Sequence, residues 1–173
     1  MNDEDLVSGR TMQQTLKTEP LHIRRYEPRD KRDVRRLHDD ALNEVGAHLG
    51  DGPWDDDLDE IESVYLDQDG EFLVGVVDGE IVAMGALIKI APEKAELKRM
   101  RVRLGLQGHG YGQTLLNDLH RRATELDYST LRLDTTVQQR AAQSLYLKNG
   151  YIEVGRSVIE PFDCIIYERE ILD

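Results

Sequence analysis

Residues 107–112 read Gln-Gly-His-Gly-Tyr-Gly, three glycines at alternate positions between a basic, strand-like stretch and a helix-like one. The chemistry open to such a turn is the gripping of an anion. A helix begins with backbone N–H groups that lack intrahelical acceptors and with a partial positive charge, so a turn stripped of side chains lets phosphate oxygens reach them. Gly108, Gly110 and Gly112 meet that need, although a flexible loop or a tight helix start would use the same residues. Two familiar phosphate motifs are excluded. A P-loop places Lys and then Ser or Thr after its last glycine, where this chain runs Tyr111-Gly112-Gln113, and a dinucleotide fingerprint spaces its glycines G-x-G-x-x-G. Lys98, Arg99, Arg101 and Arg103 put positive charge just ahead of the turn, either to attract phosphates or as a solvated strand face. His109 sits inside the turn with no evident proton-transfer partner. The 5 His are scattered, so no metal is expected.

The elements around the turn follow from periodicity. Leu21, Ile23 and Arg25 share one face of a short strand, and Pro28 and Asp30 open a helix with Val34, Leu37, Ala41 and Val45 on one stripe, ended by Gly46. A second helix is expected from Leu58, Ile61, Val64 and Tyr65 behind an Asp-rich first turn. Residues 71–77 and 80–90 are β-rich runs about Asp78-Gly79, the dipeptide suited to a type I′ hairpin. In the strand that follows, Leu97, Met100 and Val102 are spaced by three and then two, which predicts a β-bulge near Lys98 to Arg99. Beyond the glycines come a helix with Leu115, Leu119, Ala123 and Leu126 on one side, a strand over 130–137, a helix ending at Gly150, and two last strands. This order predicts an α/β domain over residues 21–173, a mixed sheet with helices on both faces, after an N-terminal tail of residues 1–20. Ligands of open α/β sheets sit where strands end and helices begin.

A formal net charge of −12 over 173 residues argues against general affinity for nucleic acid or anionic membrane, which needs a basic face. The basic residues are mostly Arg and the acids mostly Asp, the bias of a salt-adapted, halophilic surface. Cys164 is alone, so no intramolecular disulfide is expected. The N-terminal residues are acidic, and the longest apolar stretch, 81–90, is about half the roughly 20 residues a bilayer span needs. A cytoplasmic, unexported protein is expected.

The turn, the broken-period strand and the later helix together resemble the GNAT N-acetyltransferase superfamily. Gln107, Gly108, His109, Gly110, Tyr111 and Gly112 match its Q/R-x-x-G-x-G/A loop, the strand before has the spacing of its bulged strand, and residues 141–151 match its helix carrying a Tyr and ending in Gly and an aromatic. Two positions depart: Gln139 stands where the family often has Asn, and Leu104 where Pro is common. The resemblance implies a mostly antiparallel twisted sheet of about six to seven strands with a β-bulge in the fourth, and acetyl-CoA as acyl donor to an amine acceptor. It implies that the pyrophosphate meets the N–H groups of residues 108–112. The pantetheine arm would run beside Met100, Arg101 and Val102 as an added strand, and Gln139 would supply amide hydrogen bonds. Tyr146 becomes the candidate acid for the leaving thiolate, or an apolar contact on its helix. Glu96 becomes the candidate base for the amine, or a surface ion-pair partner. Trp54, Asp55, Asp56, Asp57, Asp59 and Glu60 fall where the acceptor would bind, either drawing a cationic amine or serving as helix-start acids. A noncatalytic acyl-CoA sensor is the alternative function, and a monomer or homodimer is expected.

Overall fold

The computed structural model describes residues 20–44, 46 and 53–171. Seven strands form one sheet: β1 (His22–Arg25), β2 (Glu71–Val77), β3 (Glu80–Ala91), β4 (Lys94–Val102), β5 (Thr130–Thr136), β6 (Ile152–Ile159) and β7 (Phe162–Glu170). Their order is β1-β2-β3-β4-β5-β7-β6, and every neighbouring pair is antiparallel except β4 and β5. Helix α1 (Lys31–Glu44) covers one face; α2 (Tyr111–Glu125) and α3 (Arg140–Lys148) cover the other. The predicted mixed sheet with helices on both faces is thus the observed one.

Two cores result, one on each face of the sheet. Leu115, Leu116 and Leu119 of α2 close against Leu87, Leu97, Leu131 and Leu133, while Val34 and Leu37 of α1 close with Leu58, Ile61 and Tyr65 against Phe72, Val74 and Met84. Each fully buried aliphatic side chain contributes about 1.5–3 kcal/mol, so these stripes hold the helices to the sheet. Asp78 and Gly79 both take positive φ, 50° and 78°, as a type I′ turn requires. Gly46 and Gly150 are left-handed as expected, whereas Val45 lies outside the described residues.

The expected second helix is not a continuous α-helix. The segment is a 3-10 turn, Pro53–Leu58, and a single π-turn, Glu62–Leu66. Its path is set by polar anchors: Arg99 of β4 binds the side chains of Asp55 and Asp57, and the Tyr65 hydroxyl donates to Asp57. Leu58, Ile61 and Tyr65 still reach the core. Tertiary ion pairs have overridden the local 3.6-residue period here.

Ala86 of β3 pairs with Lys98 and Met84 with Arg101, so Arg99 and Met100 stand opposite Gly85 alone. That is the predicted bulge. Arg99 has φ 58°, and a Cβ on Gly85 would lie 2.7 Å from Met100 Sδ and 2.8 Å from Leu119 Cδ1. The bulge therefore turns Met100 into the α2-side core and sends Arg99 toward the α1 face.

Candidate functional site

β4 and β5 pair only at Lys94–Thr130, Ala95–Leu131 and Glu96–Arg132. Beyond Glu96 the two strands part, while β5 stays paired with β7 as far as Thr136 and Cys164. From Leu97 onward one edge of β4 has no β5 partner among the described residues. An unpaired strand edge is a template for an extended ligand.

The glycine turn lies where β4 ends. Gly108 and Gly110 have φ 79° and 83°, conformations that disfavour any side chain, and Gly110 is the left-handed N-cap of α2. No side chain caps this helix. Its first helical bond is Thr114 N–H to Gly110 carbonyl, and among the described residues the N–H groups of Gly108 to Gln113 have no protein acceptor. A run of unpartnered N–H donors at the positive end of a helix dipole can hold a diphosphate. His109 donates through Nδ1 to the Gln107 carbonyl at 3.1 Å, and Gln107 Nε2 donates to the Val102 carbonyl at 3.3 Å, which pins the turn to the strand end. Tyr111 is the first residue of α2, and its ring lies 6.0 Å from that of His109.

α3 carries Tyr146, which is buried against Tyr151 with ring centroids 5.6 Å apart. Its hydroxyl makes no hydrogen bond among the described residues. Burial pushes the phenol up to about 12, with Arg101 pulling the other way. Behind it, Arg169 Nη1 donates to His120 Nδ1 at 2.8 Å, and His120 Nε2 lies 2.9 Å from the Tyr151 hydroxyl. Burial, reinforced by Arg169, depresses His120 to about 4, so the neutral ring accepts at Nδ1 and donates at Nε2. The start of α2 is tied to the end of α3 by two amides in reciprocal contact: Gln113 Nε2 to Asn149 Oδ1 at 2.8 Å, and Asn149 Nδ2 to Gln113 Oε1 at 2.9 Å. Gly112 lies beside both neighbours, for a Cβ there would come into ordinary contact with Leu145 at 3.5 Å and Val102 at 3.8 Å.

On the other face, Arg99 donates to Asp57 Oδ2 at 2.9 Å, to Asp55 Oδ1 at 2.8 Å and to the Trp54 carbonyl at 2.7 Å. Burial pulls this guanidinium down, but its bonds to Asp57 and Asp55 outweigh that and hold it above its ordinary value. His38 Nε2 lies 3.0 Å from Asp55 Oδ1. Burial first, then Arg101 and Arg99, depress His38 to about 4 against the pull of Asp55, leaving a neutral ring whose buried Nδ1 has no partner. The acids of 55–57 are therefore structural where they are buried: Asp55 and Asp57 bind Arg99, and Asp56 is exposed.

Lys98 lies 3.6 Å from Glu96, and Arg103 bonds Glu80 at 2.5 Å. Of the basic residues ahead of the turn, only Arg101 has no carboxylate partner among the described residues. Glu96 is half-buried at the last position of β4 paired with β5. Met100 and Val102 pack on the α2-side core with their backbones on the strand, and Gln139 caps α3, its Oε1 accepting from Thr135 at 2.7 Å. Sequence reasoning missed His38, Asp55 and Asp57 as one cluster around Arg99. A signal was present for one of them, since His38 is four residues after Val34 and so lies on the buried stripe of α1. Among the described residues no group of three or more His, Cys, Asp or Glu is placed to hold a metal, and no helix is long and apolar enough to cross a membrane.

Sheet order, bulge and glycine turn define the class: this is an acetyltransferase fold. The chain belongs to the acetyltransferase (GNAT) family, whose model matches residues 32–151. N-acetyltransferase 8F1 of Rattus norvegicus is 24% identical over 120 residues, covering 66% of this chain and 54% of that protein, so this chain spans about half the rat protein's length. A GNAT-family acetyltransferase structure from Staphylococcus aureus Mu50 superposes with a TM-score of 0.81 at 23% identity, covering 88% of this chain and 100% of that one. YncA of Salmonella typhimurium, solved with its cofactor acetyl-CoA, superposes with a TM-score of 0.74 at 16% identity over 90% of this chain and 96% of its own. At these identities the structural likeness is one of fold.

Proposed function

We propose that the protein transfers an acetyl group from acetyl-CoA to a primary amine by direct attack in a ternary complex. The observation that carries this reading is the unpartnered N–H run of Gly108–Gln113 beside the helix of Tyr146, with a β4 edge that β5 leaves unpaired after Glu96. Acetyl-CoA supplies the activated acyl group. The turn grips its diphosphate, and the free edge of β4 at Met100 and Val102 receives the pantetheine amides, with Arg101 alongside. The side-chain N–H₂ of Gln139 remains available to the same arm, because its oxygen is taken by Thr135.

A primary amine arrives mostly protonated, with a reference pKa near 10.4, so Glu96, directly or through a water, collects the first proton. The amine nitrogen then bonds to the carbonyl carbon, and the carbon–sulfur bond breaks. Tyr146 gives its proton to the departing thiolate and regains one from the nitrogen as that becomes an amide. Burial that pushes the phenol up to about 12 keeps it protonated but makes it a weaker acid than a thiol, so its donation has to be coupled to the proton it regains from the nitrogen. A main-chain N–H released by the bulge is the donor for the carbonyl oxygen as it gains charge.

The test is release of free CoA across an amine panel by the wild type and by Tyr146→Phe. Loss of a general acid predicts a fall of about 10²-fold or more in turnover, with CoA binding by calorimetry within about 3-fold of wild type. Full activity in Tyr146→Phe would remove the phenol from the chemistry. CoA binding with no turnover of any amine would leave a sensor.

A further inference from the structure

In a chain with 34 acids against 22 basic residues, a cation of the site without a carboxylate partner among the described residues calls for a reason. Arg101 is that cation. A guanidinium has five N–H donors. Here one goes to the Met100 carbonyl at 2.8 Å, and the Nε–H is buried with no partner. Its neighbours do not neutralise it. Asp55 is close enough to act on it, but that carboxylate already accepts from Arg99 and lies against His38. Arg99 is a like charge, and burial together with that repulsion draws Arg101 down to about 10. Tyr146 is near enough for its phenol to feel the Arg101 charge.

A half-buried cation with no counter-ion among the described residues is costly, and the cost is relieved when a ligand brings the anion. The acyl donor does not bring one to this point: its phosphates belong at the glycine turn, and its thioester end is uncharged. The remaining partner is the acceptor. The planar fork of an arginine suits a carboxylate, which it can meet through two parallel N–H···O bonds. The buried acids nearby argue against the opposite choice, because Asp55 and Asp57 are consumed by Arg99 and leave no free buried carboxylate for a second ammonium group.

We propose that the Arg101 guanidinium is a recognition site for a carboxylate carried by the acceptor, so that the amine acetylated is that of an amino acid or a similar zwitterion and not of a polyamine. This rests on the acetyl-transfer reading above and sharpens its substrate class.

The full chain, with acetyl-CoA, is assayed by CoA release against the twenty L-amino acids, their α-amides, their decarboxylated amines and spermidine. The expected result is at least one amino acid with kcat/KM about 30-fold above its own amide, the size expected of a charge-assisted pair. In Arg101→Met that ratio falls to about 3 or less, and Arg101→Lys, which keeps the charge without the fork, lies between. Amides or spermidine turned over as well as the amino acids would overturn the carboxylate subsite and leave acetyl transfer standing. So would an Arg101→Met variant that loses all acceptors equally, or whose loss tracks weaker CoA binding in calorimetry, which would assign the guanidinium to the carbonyl or the phosphates. No turnover of any member would overturn the acetyl-transfer reading and this one with it. The wild-type ratio of amino acid to amide decides the matter even where a variant does not fold.

Discussion

The glycine turn and the β4 bulge are close in sequence and opposite in how they treat polar groups. In the turn, consecutive N–H donors from Gly108 to Gln113 are left without acceptors among the described residues. At the bulge, Arg99 is bound by two carboxylates and a carbonyl brought from residues 54–57. Unsatisfied donors at an exposed helix start are tolerable because water serves them until a ligand does. Buried charges have no such substitute and must be paired within the protein. The turn is therefore built for something that arrives, and the bulge for something that stays, with Arg101 the exception on the bulge side.

If that contrast holds, damage to the bulge should appear as lost stability and damage to the turn as lost binding. The largest effect is expected from Arg99→Met, which leaves Asp55 and Asp57 without their cation and should cost about 3–5 kcal/mol in denaturant unfolding. A variant as stable as wild type would mean the cluster is not what holds residues 53–66 to β4. Next comes pH. An unfolded His titrates near 6.5, whereas His38 is held near 4 and is fully buried, so between those values the unfolded chain binds more protons and acid favours it. The stability from a neutral His38 is present above pH 6.5 and is lost as pH falls toward 4, up to about 3 kcal/mol. His120 is depressed likewise and adds to the same slope. Thermal melts from pH 7 to 4.5 should show it, and His38→Gln should flatten the slope by about half.

Gly110→Val forces a β-branched residue to φ 83°, a strain of about 1–2 kcal/mol that relaxing the turn would relieve, so CoA affinity should fall about tenfold by calorimetry. Unchanged affinity would argue that the turn's shape does not serve the ligand. The smallest stability effect is expected from Gly112→Ala. Its added methyl meets only ordinary contacts, 3.5 Å from Leu145 and 3.8 Å from Val102, and helix propensity gains up to about 1 kcal/mol. The melting midpoint should hold or rise slightly while CoA binding weakens. A midpoint well below wild type would blur the distinction between the two regions.

The same contrast explains what the sequence disclosed. The turn was legible because its requirements are local: positive φ at Gly108 and Gly110, and a helix starting at once. The bulge showed itself as a broken period in Leu97, Met100 and Val102, and Arg99 proved to be the residue in the unusual conformation. Its partners were hidden. Asp55 and Asp57 lie more than forty residues from Arg99, and their local pattern, acids before an apolar stripe, is that of a helix start. The expected helix gave way to a 3-10 and a π-turn because long-range ion pairs decided the path, which no periodicity records. That Arg101 alone lacks a carboxylate partner among the described residues was equally invisible, since four basic residues within 98–103 look alike until three of them find acids.

The paired amides of Gln113 and Asn149 make a clasp between the first turn of α2 and the last of α3. Whatever docks on one helix is thereby gauged against the other, like work held between the jaws of a caliper. Slackening that clasp would leave both jaws whole and the measurement wrong.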